Sequence, residues 1–83
     1  MFDETLYKKV GEKLKIKRIQ LQKSQEEIEY KAGLGEKHLG KIERAEIIPL
    51  YPTFYKVCQT LGINTQTIVD EAKEELRASK KED

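Results

Sequence analysis

The chain has 83 residues, 37% hydrophobic and 37% charged, which leaves room for one small domain with a modest core and none for an enzyme's deep pocket. Its 16 basic and 15 acidic residues give a net charge of +1, and a single cysteine and a single histidine assemble neither a disulfide framework nor a zinc site. No apolar run approaches the ~20 residues that span a bilayer, and Met1-Phe2-Asp3-Glu4 lacks the basic and then apolar plan of a signal peptide, so a reducing cytoplasm is the expected compartment, with no cofactor and no metal.

A first helix is expected from about Glu4 to Leu21, capped by Asp3, with Leu6, Val10 and Leu14 spaced four apart on one stripe and lysines on its other sides. A second begins at Ser24, whose hydroxyl accepts an orphan backbone N–H while Glu27, three residues on, completes a capping box. Gly33 after Ala32 is where a left-handed residue ends that helix at little steric cost, and a third helix is expected to start at Gly35. Ile28, Ala32, Leu34, Leu39 and Ile42 supply a shared apolar seam for these two helices. After a loop from Ala45 to Tyr51, Pro52 suits the first turn of a fourth helix, which buries Phe54, Val57, Cys58 and Leu61 and stops at Gly62. Asn64 or Thr65 caps a fifth, with Ile68, Val69, Ala72 and Leu76 on a stripe longer than a small core needs. The sequence thus predicts an all-α, five-helix domain over residues 1–78 and a frayed tail over 79–83.

Two short helices joined by a glycine turn are the arrangement that places one helix in a DNA groove. The run Ser24-Gln25-Glu26-Glu27-Ile28, the turn Ala32-Gly33-Leu34 and the finish Ile42-Glu43-Arg44 resemble the lambdoid repressor and Cro-type helix-turn-helix domain, the xenobiotic-response-element class. Lys17-Arg18-Ile19-Gln20-Leu21 upstream, and Pro49 and Val57 to Ile63 downstream, resemble the end of that family's first helix and its fourth. The likeness covers roughly residues 10 to 72. It implies a compact lambda-repressor-like fold and double-stranded DNA as partner.

Matched residue by residue, the resemblance gives Glu36, Lys37 and Lys41 as base contacts from the third helix, with His38 beside them. Lysine donates to guanine O6 and N7 and glutamate accepts from cytosine N4, so the set favours G·C-containing half-sites. Glu36 has an alternative role, that of any acidic residue at the positive end of a helix. Ser24, Gln25 and Arg44 match phosphate contacts, with Lys17 and Lys23 as outer ones. Arg18 and Glu43, 25 residues apart, resemble the family's internal ion pair between the first helix and the end of the third, a scaffold element. Gly40 fits either close approach of DNA or tight packing against the second helix. Cys58 reads as a small core residue, and Tyr51 and Tyr55 as core or interface.

Charge distribution matters more than its sum. From Lys8 to Lys23 seven basic residues face Glu12 alone, a net +6, whereas Asp70 to Asp83 carries −2. One end then faces phosphates and the other solvent or a second subunit, unless both are ordinary solvated helix faces.

Three positions depart from the resemblance. Glu29 stands where the family prefers alanine, so its carboxylate must turn outward or find a cation such as Lys37 or Lys41. Ala45 replaces the glycine after the third helix, leaving the left-handed cap strained or absent. Glu46, Ile47 and Ile48 follow where relatives have basic or small polar residues. The apolar loop and the long fifth stripe are explained together by a homodimer through Ile47, Ile48, Leu50, Ile68, Val69 and Leu76, which would set two recognition helices ~34 Å apart on an inverted repeat.

These features predict a dimeric, sequence-specific DNA-binding transcriptional regulator, a repressor at its operator. A competing reading, from near-neutral charge with Glu29 and Glu36, is a protein-interaction module that keeps the helix-turn-helix scaffold and binds another regulator. An enzyme is not expected, since His38 has no nucleophile or carboxylate constellation around it.

Overall fold

A computed structural model describes residues 4–80, the side chain of Lys80 excepted. Five helices follow one another: α1 Glu4–Gln20, α2 Gln25–Ala32, α3 His38–Glu43, α4 Tyr51–Leu61 and α5 Thr65–Lys80. This is the all-α, five-helix arrangement expected, with no strand among the described residues. The expected cap Asp3 and most of the expected tail lie outside them, while Ser79 and Lys80 continue α5.

The core draws on every helix. Val10 and Leu14 of α1, Ile28 of α2, Leu39 and Ile42 of α3, Val57, Cys58 and Leu61 of α4, and Ile68 and Ala72 of α5 form one cluster. Burying each of the larger aliphatic side chains is worth ~1.5–3 kcal/mol. Helix α1 is the central strut, packed against α3, α4 and α5. Ile68 therefore belongs to the core at 5% exposure and is unavailable to a partner, contrary to the dimer surface expected from the sequence. Ile47 and Val69 are half-buried against the same core, and Leu76 is half-buried too.

The acidic end does not sit apart from the basic one. Lys13 bonds Glu75 and lies 3.5 Å from Glu71, and Lys9 lies 3.8 Å from Glu75, so α5 neutralises part of the positive face of α1. The carboxylate hydrogen bond raises the Lys13 pKa and lowers that of Glu75.

Helices α1 to α4 end in the same way. The residue after each helix, or one beyond it, takes a left-handed conformation: Gln22 (φ 59°), Gly33 (φ 71°), Ala45 (φ 59°) and Gly62 (φ 73°). At each, two amides return to the last turn, as when Glu46 N–H donates to Lys41 O at 2.8 Å and Ala45 N–H to Ile42 O at 3.0 Å. Two of these positions are glycine and adopt the conformation freely. Ala45 keeps the cap at the cost of strain.

Candidate nucleic-acid interface

Helix α2 starts as its residues dictate. Ser24 Oγ accepts from Glu27 N–H at 3.0 Å, and Glu27 Oε1 accepts from Ser24 N–H at 2.9 Å, a complete capping box. The bond from Ser24 N–H lowers the Glu27 pKa. Ser24's own amide is thus occupied, and the box does not engage the amides of Gln25 and Glu26.

Helix α3 begins at His38 and not at Gly35, a correction of three residues. Gly35 brings no side chain to cap a helix. His38 N–H closes a turn onto Gly35 O at 3.2 Å, and Lys37 takes a left-handed conformation with φ 65°, which no continuous helix passes through. Glu36 and Lys37 therefore stand, exposed, on the turn before α3; Lys41 is exposed on the helix and His38 half-buried at its first residue.

The amide missing a cap at this end is met from α2. Glu29 is 6% exposed, and its Oε2 accepts from Leu39 N–H at 2.9 Å. Its carboxylate neither turns outward nor seeks Lys37 or Lys41, as the sequence suggested. It turns inward, because an unsatisfied helix-start amide lies within its reach.

The other end of α3 rests on a second carboxylate. Glu43 is 5% exposed; Arg18 grips it through Nε at 2.7 Å and Nη2 at 3.1 Å, and Gln25 Nε2 donates to it at 3.0 Å. Arg18 Nη1 also donates to Lys23 O at 2.9 Å, tying the end of α1 into the network. The Glu43 hydrogen bond raises the Arg18 pKa. Gln25 is thereby engaged inside the protein, and its amide lies over Gly40: a Cβ there would stand 3.3 Å from Gln25 Nε2 and 3.0 Å from Arg44 Nη1. Packing against the start of α2 is thus the environment of Gly40.

Gly11 of α1 holds a role the sequence analysis did not assign. A Cβ at this buried position would lie 2.5 Å from Glu43 O and 2.8 Å from Ile42 O, so the last turn of α3 sits directly on the α1 backbone. A glycine inside an otherwise helical pattern was the available signal.

The cations assigned to phosphates differ in freedom. Arg44 is exposed but its Nε bonds Glu46, which raises the Arg44 pKa and lowers that of Glu46. Lys17 and Lys23 are half-buried, and Lys23 Nζ lies 4.0 Å from Glu27. Beyond α3, Ile48, Leu50, Tyr51 and Tyr55 are exposed, with the two tyrosine rings 6.2 Å apart. No described helix is long and apolar enough to cross a membrane.

No curated protein matches the chain. A family model described as a helix-turn-helix domain matches residues 11–74, from the Gly11 contact through the capping box and α3 into α5. Such domains are DNA-binding regulators rather than enzymes as a class. With more than half of its length matched, the chain belongs to the helix-turn-helix domain family.

Proposed function

We propose that this protein is a sequence-specific transcriptional repressor of the Cro and xenobiotic-response-element type, acting in the cytoplasm and occupying an inverted-repeat operator as a homodimer. The observation that carries the reading is the exposure of Glu36, Lys37 and Lys41 at and just before α3, on a helix-turn-helix braced at both ends of α3 by buried carboxylates. Glu36, Lys37, His38 and Lys41 read base edges; Arg44, Lys17, Lys23 and the start of α2 at Ser24 and Gln25 hold phosphates. For Arg44 to do so, it exchanges Glu46 for the phosphate. Ile48 and Leu50, joined by Tyr51 and Tyr55, are the exposed apolar residues that suit a second copy.

Selection of bound duplexes from a random pool, with particle mass measured on the recovered complex, tests this directly. The reading expects an inverted repeat, two protomers per duplex, and affinity that falls with salt at a slope of about −0.9 per phosphate neutralised. Lys41→Ala should cost ~1–3 kcal/mol at one base position, whereas Arg44→Ala should weaken all sequences alike. An equal loss across sequences from both would refute the division of roles.

A second reading is a protein-interaction module on the same scaffold. It is favoured by the pairing of Arg44 with Glu46 and of Lys9 and Lys13 with α5, which takes part of the positive charge away from phosphate. Absence of duplex binding even at low salt selects it.

A further inference from the structure

We propose that Glu29 is the residue that gives the reading segment its specificity, by tying the start of α3 to α2. The inference rests on the DNA-binding reading above and concerns the same surface.

Helix α3 has six residues and supplies no cap of its own: its N-cap residue Lys37 makes no side-chain cap bond, and Gly35 has no side chain. A helix this short does not persist by its own backbone bonds, so its first turn takes its position from whatever holds it. Glu29 holds it. Its backbone carbonyl accepts Leu34 N–H at 2.8 Å on the near side of the turn, and its side chain accepts Leu39 N–H at 2.9 Å on the far side. One residue therefore spans the whole connection between α2 and α3, and Glu36, Lys37 and His38 lie on the stretch it closes. Glu29 is more than nine-tenths buried, so water does not substitute for it readily.

Phosphate contacts act through charge and survive a loose loop, whereas base contacts depend on where the side chains stand. Loss of the tether should therefore lower discrimination and leave the salt dependence in place. Glu29→Gln keeps an acceptor of the same reach. Glu29→Asp keeps the charge and is one methylene too short, and Glu29→Ala removes both.

The test compares binding to the duplex recovered by selection with binding to a scrambled duplex of equal composition, at two salt concentrations, together with hydrogen exchange of the Leu39 amide in the free protein. Expected is a fall of about tenfold or more in the specific-to-scrambled ratio for Glu29→Asp and Glu29→Ala, the loss of roughly one base contact, with an unchanged salt slope. Glu29→Gln should stay near the wild-type ratio. Leu39 protection should fall in the Asp variant and persist in the Gln variant. If Glu29→Ala does not fold, the contrast between Asp and Gln decides alone. A lower melting temperature with an unchanged ratio, or a Gln variant as impaired as Asp, overturns the proposal. A wild-type protein that prefers no duplex refutes the DNA-binding reading instead, and the Leu39 exchange still reports whether Glu29 holds α3.

Discussion

Gly11→Ala is the substitution that most sharply tests how α3 is seated. Alanine in the middle of α1 gains ~1 kcal/mol of helix propensity over glycine. Against this, the new Cβ would stand 2.5 Å from Glu43 O, 2.8 Å from Ile42 O and 3.0 Å from Glu43 C, all of them backbone atoms of the last turn of α3. Relief requires α1 and α3 to part by roughly 1 Å, since carbon and oxygen settle nearer the ~3.5 Å of ordinary contact. Glu43 then moves relative to Arg18, which lies two turns along α1 and bonds it at 2.7 Å and 3.1 Å. Overpacking typically costs ~1–3 kcal/mol, and weakening a part-buried charged pair adds to it, so the net change should be a destabilisation of about 1–3 kcal/mol. For a domain of this size that is a fall of roughly 4–8 °C in melting temperature per kcal/mol. Gly40→Ala is the internal control. Its Cβ would meet no backbone, only the end of the exposed Arg44 side chain, which can swing away, and the Gln25 amide at 3.3 Å, which must give by a few tenths of an ångström while bonded to Glu43, so the net effect should stay within ~1 kcal/mol of zero. Thermal and urea denaturation of both variants decide the matter. A Gly11→Ala protein as stable as the wild type would show that the approach of α1 to α3 is not fixed by this contact.

Ala45→Gly should stabilise by about 1 kcal/mol, because Ala45 alone among the caps of α2, α3 and α4 holds a left-handed conformation with a Cβ; urea denaturation measures it. Arg18→Ala leaves Glu43, 5% exposed, without its charge partner and should cost ~3–5 kcal/mol, a large share of the ~5–15 kcal/mol by which a small domain is stable; thermal denaturation followed by circular dichroism measures it. The Glu27 and Glu75 carboxylates titrate below their ordinary value of 4.5 in the folded protein, so their contribution is intact above that pH and disappears as pH falls through the lower folded values. Glu75→Gln should accordingly flatten the acid limb of the stability profile. Burial pushes the Cys58 thiol up to about 12, so thiol reagents at neutral pH should label it only through unfolding, at a rate that tracks denaturant.

Local chemistry was legible in the sequence where a few neighbouring residues settle it. Ser24 with Glu27, Gly33, Gly62 and the buried stripe of α4 each carry their own signal, and the five helices follow from them. Long-range relations were legible only in part. Arg18 and Glu43 are 25 residues apart and come together through the resemblance, not through any local pattern. Gly11 was overlooked because a lone glycine in a helix does not say which backbone lies against it. Ile68 lies on the same apolar stripe of α5 as the half-buried Val69 and Leu76, and a stripe that is too long does not show where the core ends. Glu29 was misjudged for a different reason: a buried carboxylate suggests a cation, and the partner is an amide whose lack of a cap became visible only once α3 began at His38.

The three contacts on α3 have one consequence for binding. The net charge is +1, and Lys9, Lys13, Arg18 and Arg44 are each paired to a carboxylate, so part of the positive charge is neutralised within the protein and the pull on duplex DNA through charge alone is reduced. In the proposed repressor reading, affinity for an operator then draws chiefly on well-placed base contacts and on the second protomer of the proposed dimer. Well-placed contacts on a six-residue helix require a rigid seat, and the Gly11 backbone beneath α3, the Glu43 network at its end and the Glu29 bond at its start supply one. Low non-specific attraction and a firmly held reading segment thus belong together. Scrambled duplex should bind poorly even at salt where the selected sequence binds well, and replacing Glu46 by glutamine should raise affinity for both duplexes by a similar factor, because it frees Arg44 without moving α3. A rise confined to the selected duplex would mean that Glu46 acts on base reading and that the separation of charge from geometry is wrong.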